Sequence, residues 1–319
     1  MKFEPRKIYV SGTNSYILTL PKDWVERLGL KKGDIVFLEI REKSICVHSQ
    51  KKGKDFIDFI DDPKATFKHL FRLIIAYYIA GFSSIKMKIH NEDQRRAALF
   101  ATDMLMGAEI LEDIGNELQL EIFLNLERFE INSIIEKMCG VILSLLKDYK
   151  NLISSSFREK EILSSVFARE NEVDRLYFLL LRLLTLSGRE GIMSFFDTMN
   201  YRSAVKALER ISDHLNRIFE VSINISLNEE IAEVVERFEG LVRKTIVSFF
   251  KSDRIIAEEV FEELEKVRSL LGKIKVEIEK SGSMDLNYQI IFESFERLIG
   301  YLSDIAEISI DRSILKNTC

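Results

Sequence analysis

The chain has 319 residues, 46% of them hydrophobic and 30% charged, with a formal net charge of −5. This is the balance of a soluble globular protein rich in amphipathic helices, long enough for two or three domains with their own cores. The strongest apolar runs, Leu70–Phe82 and Leu176–Leu186, are interrupted by Arg72 and Arg182. Both fall short of the ~20 residues of a membrane span, so they read as buried helices.

The three cysteines, Cys46, Cys139 and Cys319, are far apart and form no metal-ligand spacing. They read as reduced thiols of a cytosolic protein. The N-terminus enters charged, strand-forming sequence directly, which is not the pattern of a signal peptide. A cytoplasmic location without membrane insertion is expected.

Charge divides the chain unevenly. Residues 1–52 hold 11 Lys/Arg against 6 Asp/Glu, a net of +5, which leaves −10 on residues 53–319. All three prolines, Pro5, Pro21 and Pro63, fall in the first fifth, so nothing breaks long helices beyond them. A small basic module joined to a large acidic body points to a nucleic-acid-binding head on a regulatory or partner-binding trunk.

In the head, Lys7–Val10 and Ser15–Leu20 are β-prone runs around the turn Ser11-Gly12-Thr13-Asn14. Pro21 opens a short helix whose Trp24, Val25 and Leu28 share a face, and Gly29 suits a left-handed C-terminal cap. Lys32-Gly33-Asp34 is a turn, Ile35–Ile40 a strand, Arg41–Ser44 a turn and Ile45–Ser49 a last strand. The order β-β-α-β-β in about fifty residues has too little core to stand alone and leaves open strand edges. Dimerisation by interleaved hairpins answers both needs.

This head resembles the SpoVT-AbrB family. The likeness rests on Arg6-Lys7, on Gly12 with Ser15, on Thr19-Leu20-Pro21-Lys22-Asp23-Trp24, and on Gly29-Leu30-Lys31-Lys32-Gly33-Asp34. It implies a swapped-hairpin β-barrel homodimer that binds DNA, with Arg6, Lys7, Lys22 and Arg27 as contacts and Asn14 at a turn. Such cations hold phosphates largely without reading sequence. The bland reading is a dimerisation clip with solvated charges.

Residues 53–125 read as a small α/β subdomain. Gly53–Pro63 looks like a linker that docks through Phe56–Ile60, Lys64–Ala80 like an amphipathic helix closed by Gly81, and Ile85–Ile89 like a half-buried strand. Asn91 caps a helix over Glu92–Met106, and Gly115-Asn116 turns a hairpin between Ile110–Ile114 and Leu118–Leu124. The segment has no Gly-rich phosphate loop and no nucleophile signature.

The trunk repeats itself. Leu208-Glu209-Arg210-Ile211 recurs 87 residues later as Phe295-Glu296-Arg297-Leu298, and Ile218–Ile223 recurs at the same offset as Ile305–Ile310. Helices are predicted near 127–157, 159–186 and 193–224, and again near 229–251, 253–280 and 285–315. Short loops make these two tandem antiparallel three-helix bundles, residues 126–227 and 228–319. The fold class expected is multidomain and mainly α, with the β head, the α/β middle and the two bundles.

Within the first bundle, Glu170 with Asp174 and Glu209 with Asp213 are ExxxD pairs, each placing two carboxylates on one helical face. Opposed faces would bring four carboxylates together, an oxygen-only set suited to Mg²⁺, Mn²⁺ or oxygen-ligated iron. The trunk resembles the PhoU family of phosphate-uptake regulators through Leu208-Glu209-Arg210-Ile211-Ser212-Asp213-His214 and Glu170-Asn171-Glu172-Val173-Asp174-Arg175-Leu176-Tyr177. The resemblance implies a metal patch on the bundle surface. In the second copy Gly300 stands where Asp213 stands, and Glu262–Lys266 puts a lysine where an aspartate is needed, so one intact cluster is expected. The alternative is solvated faces supported by Arg169, Arg175, Arg210 and Arg217. His214 lies about 100° around the helix from Asp213 and reads as packed or capping. The wide apolar surface of Tyr177, Phe178, Leu180, Leu181, Leu183 and Leu184 reads as core, or as a partner surface.

These readings favour a DNA-binding regulator of phosphate homeostasis. A second reading is an adaptor whose head only dimerises and whose trunk restrains a phosphate transporter ATPase or a sensor kinase. A metal-dependent enzyme ranks last, because no histidine has a glutamate three residues before it and no nucleophile triad is visible.

Overall fold

The computed structural model describes residues 5–12, 15–40, 45–48, 57–125, 128–154, 160–223, 225, 227 and 229–316. Asn14, the turn expected at Arg41–Ser44, and Cys319 lie outside them. The chain divides into two compact units, Met1–Asp55 and Phe56–Cys319.

In the first unit, β1 (Ile8–Ser11) pairs antiparallel with β2 (Ser15–Leu18), and Gly12 takes the left-handed conformation the turn needs, φ 69°. Pro21, expected at the first helical position, stands one residue earlier at the N-cap of α1 (Lys22–Arg27), with φ −61° and ψ 130°. A second antiparallel pair joins β3 (Phe37–Ile40) to β4 (Ile45–His48). No residue described in this unit is buried: Ile8, Val10, Tyr16 and Ile35 are 68%, 70%, 76% and 75% exposed.

The second unit begins with a four-stranded sheet ordered β5-β6-β8-β7, formed by β5 (Ile57–Ile60), β6 (Ser84–Lys88), β7 (Ala108–Ile114) and β8 (Glu117–Ile122). The segment read as a docking linker therefore holds a strand, β5, parallel to β6. Four residues containing Asp58 carry little strand signal of their own, and the partner that makes them a strand lies 27 residues away. β7 carries a bulge between Ile110 and Glu112. Helices α2 (Phe67–Ala80) and α3 (Glu92–Met104) share a core with the sheet through Leu70, Ile74, Tyr78, Ile85, Met87, Ala97, Ala101, Leu118 and Leu120. Thr66 Oγ1 accepts from the His69 N–H and Asn91 Oδ1 from the Gln94 N–H, so each helix starts at a side-chain cap.

Among the described residues six helices follow: α4 (Ile131–Ser154), α5 (Lys160–Arg189), α6 (Phe195–Ser222), α7 (Glu230–Lys251), α8 (Arg254–Lys280) and α9 (Leu286–Lys316). They form two three-helix units, α4–α6 and α7–α9, which meet along α6 with α9 and α4 with α7. The repeated segments form that seam: Leu208 and Ile211 are buried on α6, and their counterparts Phe295 and Leu298 on α9. One continuous core fills both units. At its centre Tyr149 sits edge-on to Phe219 with centroids 5.1 Å apart, Phe295 stacks on Phe238 at 5.5 Å, and the Tyr149 hydroxyl is 2.8 Å from Ser222 Oγ.

Helix α5 is apolar on more than one face because it serves two cores. Leu176, Leu179, Leu180, Leu183 and Leu184 pack into the helical core, while Phe178 packs against the α/β core. Arg182, 4% exposed, completes this second contact. Its Nη1 donates to the carbonyls of Tyr78 (2.5 Å) and Phe82 (2.9 Å), its Nη2 reaches Gly81 O at 3.4 Å, and its guanidinium lies 4.9 Å from the Tyr78 ring. These carbonyls lie at the end of α2, where the helix dipole is negative, and Tyr78 O accepts from the Gly81 N–H as well, at 3.1 Å. Gly81 holds the turn at φ 96°, and a Cβ there would meet Leu186 Cδ2 at 2.6 Å.

Arg182→Ala removes the guanidinium donors from those carbonyls and empties a buried position, and is expected to cost about 3 kcal/mol, read as a lower urea midpoint. Arg182→Lys should recover only part, since one ammonium cannot reproduce the fork. Full stability in both variants would show the cap to be dispensable.

Candidate functional site

Helices α5 and α6 run antiparallel, and their ExxxD pairs face each other. The carboxylates of Asp174, Glu209 and Asp213 each offer an oxygen within 4.8 Å of the other two. Among the described residues this is the one such group of three or more potential metal ligands. Glu170 lies one turn along α5, beyond the group, where it is influenced by Asp213, Glu220 and Asn216 of α6. Three of the four carboxylates therefore meet and the fourth flanks them.

The electrostatics follow from crowding in a partly dry seam. Burial, reinforced by Asp213, Glu209 and Glu170 and opposed by Lys206, pushes the Asp174 carboxyl up to about 7. Burial raises Asp213 also, reinforced by Glu209 and opposed by Arg210 and Lys206. Glu170 is raised by burial, with Asn216 opposing. Two cations moderate the cluster: Lys206 Nζ lies 2.6 Å from Glu209 Oε2, and Arg210 reaches Asp213 at 3.2 Å and Glu209 at 3.7 Å.

Of the arginines that could support solvated faces, Arg210 alone has an ion pair with this cluster among the described residues; Arg169 pairs with Asp148 of α4. Lys206 is absent from the sequence expectation, although it stands three residues before Glu209, a spacing that brings side chains together on a helix. His214 stays outside the group. Its ring lies 5.8 Å from Tyr301, and burial beside Arg217 and Arg297 lowers its pKa, so it is neutral near pH 7.

A hard cation bonds carboxylate oxygens at roughly 2.0–2.6 Å, so it spans oxygens up to about 5 Å apart. The spacing of Asp174, Glu209 and Asp213 meets that limit, and the donor set contains oxygen only. The residues fit a divalent cation, with Glu170 within a turn as a further carboxylate.

In the head, Arg6 and Lys7 lie in the extended segment leading into β1. Lys22 Nζ is 3.6 Å from Glu26 on the same helix, and Arg27 Nε donates to Asp23 O at 3.1 Å. Cys139 is a buried free thiol whose pKa burial pushes up to about 12, so it plays no part in either site.

Residues 135–222 match the model of the PhoU domain, and residues 9–55 match that of the antidote-toxin recognition protein MazE, a bacterial antitoxin. The chain thus joins a MazE/AbrB-type domain to a PhoU domain. The crystal structure of PhoU from Pseudomonas aeruginosa is similar at 17% identity, over 56% of this chain and 93% of that one, with a TM-score of 0.46. The phosphate transport system regulatory protein PhoU from Streptococcus pneumoniae is similar at 15% identity over the same shares, with a TM-score of 0.47. No curated protein matches the chain. Among the described residues no helix is long and apolar enough to cross a membrane.

The raised Asp174 pKa carries a pH consequence with a definite sign. The folded state keeps a proton that the unfolded chain releases near pH 4, so stability should fall as pH rises from about 4 to about 7 and level off above. Asp174→Asn should flatten that fall in metal-free protein, seen as a melting temperature less dependent on pH. Mg²⁺ or Mn²⁺ should raise the melting temperature of the unaltered chain at pH 8 and have little effect on the variant.

Proposed function

We propose that the protein is a regulator of phosphate uptake or homeostasis, not an enzyme, in which a dimeric DNA-binding head carries a metal-holding helical trunk. The PhoU domain supports the phosphate-regulation role, and the MazE/AbrB-type domain supports the head's part in it. The observation that carries the reading is the exposure of the head's apolar side chains. Ile8, Val10, Tyr16 and Ile35 are all at least two-thirds exposed in a unit with no buried residue among those described. Covering them takes a second copy of the same hairpins, in the manner of a swapped barrel. Two copies then double the cations available to a DNA backbone: Arg6, Lys7, Lys22 and Arg27, with Asn14 as a further candidate contact.

In the trunk, Asp174, Glu209 and Asp213, with Glu170 beside them, would hold Mg²⁺, Mn²⁺ or iron. The cation would supply positive charge that relieves carboxylate repulsion across the α5–α6 seam.

A second reading, a protein-binding adaptor to a phosphate transporter ATPase or a sensor kinase, is favoured by a separate observation. Ile192, Phe195, Phe196 and Met199 stand 72%, 72%, 59% and 52% exposed around the α5–α6 turn.

The two readings part on DNA. Full-length protein should bind duplex DNA from upstream of phosphate-transporter genes, with affinity falling about 10³-fold or more between ~50 and ~200 mM salt. Replacing Arg6 and Lys7 by alanine should flatten the log–log salt slope by about 0.9 for each phosphate that the variant no longer neutralises. A chain that sediments as a dimer yet binds no DNA at low salt would leave the adaptor in front.

A further inference from the structure

A groove of about 410 Å³ opens beside the carboxylate cluster, bounded by α5, α6 and α9. Its α6 wall presents Arg202, Lys206 and Arg210, spaced by four residues and so stacked on one face. Tyr301 and Ser203 add hydroxyls, and Asp304 of α9 lines the opposite side.

The charges in this groove are incompletely matched. Arg202 has no acidic partner among the described residues: its Nη1 donates to Thr185 Oγ1 at 2.9 Å and to Leu181 O at 3.4 Å, both neutral. Asp304 has no hydrogen-bond or ion-pair partner among the described residues, and shielding by the groove raises its carboxyl above the ordinary range. A cation and a carboxylate thus line one groove without meeting. Lys206 and Arg210 pair with Glu209 and Asp213 on their far side. An ammonium has three N–H donors and a guanidinium five, so both keep donors for the groove.

We propose that this groove binds inorganic phosphate, with Arg202, Lys206 and Arg210 holding its oxygens and Asp304 accepting its P–OH hydrogen bond. Arg202 supplies an unpaired positive charge, Lys206 and Arg210 supply their remaining N–H donors, and the lone carboxylate selects among anions. It repels a fully deprotonated tetrahedral anion such as sulfate and accepts a hydrogen bond from one that keeps a proton at neutral pH. The inference goes beyond the regulatory reading, which survives without it: DNA binding by the head and metal binding at Asp174 do not need the groove filled.

The test is calorimetric titration of the full chain in metal-free buffer at pH 7 with inorganic phosphate, phosphoserine and sulfate. Phosphate should bind, phosphoserine, whose phosphate has mostly lost its last proton at pH 7, more weakly, and sulfate at least about tenfold more weakly. Arg202→Gln should weaken phosphate binding by about tenfold or more. Asp304→Asn, a same-size change at an exposed helix position, should bring phosphate and sulfate to within about twofold of each other. Circular-dichroism melting of both variants checks that they fold as the unaltered chain does. An absence of phosphate binding, sulfate or phosphoserine bound as tightly as phosphate by the unaltered chain, or undiminished phosphate binding by a folded Arg202→Gln variant would each overturn the assignment.

Discussion

The structure turns on the demand that one helix, α5, serve two cores at once. Its leucines fill the helical core on one side, while Phe178 and Arg182 meet the α/β layer on the other. A guanidinium is costly to bury, and burial lowers the Arg182 pKa. The cost is offset because the carbonyls at the end of α2 supply both acceptors and the negative end of a dipole. Arg189, one further pair of turns along α5, reaches Ala80 O at 3.3 Å and extends the same clamp. The α/β layer is therefore held to the trunk by a charged cap as well as by apolar contact.

That clamp bears on the candidate metal centre through geometry. Asp174 lies eight residues before Arg182 on the same helix, about 12 Å along its axis. Fixing α5 against α2 fixes the rotation of α5, and rotation decides whether Asp174 faces Glu209 and Asp213 or solvent. Across the seam, α6 is fixed against α4 and α9, where Tyr149 of α4 meets both Phe219 of α6 and Phe295 of α9. The carboxylates sit close enough to raise one another's pKa because both helices bearing them are pinned from behind. Lys206 and Arg210 connect this cluster to the neighbouring groove, since each stands between an acidic partner and open space.

The head is organised on the opposite principle. Its turns are encoded locally, by Gly12, Gly29 and Gly33 at φ 69°, 66° and 97°, yet none of its described residues is buried. Local sequence can specify hairpins where a single copy cannot supply a core. This contrast, a head incomplete alone and a trunk whose two repeats complete each other, underlies the reading of a dimeric head with a self-sufficient trunk.

Much of the architecture was legible because it is written in short-range pattern. Apolar spacing over residues 229–280 places α7 and α8 to within a residue or so of where they lie, and the 87-residue offset identifies α6 and α9 as equivalent elements. ExxxD spacing likewise places Glu209 and Asp213 on one face, since i and i+4 adjoin on any helix. Other features needed the folded chain. Strand β5 exists through its pairing with β6, the buried role of Arg182 through carbonyls about a hundred residues earlier, and the exclusion of Glu170 from the three-carboxylate group through the stagger of α5 on α6. The sequence by itself determined which segments are helical, where they stop and which residues share a face, because those depend on neighbours within a turn or two. The tertiary structure decided which faces meet, and with them the carboxylate cluster and the groove, because such contacts join residues with no local trace of one another.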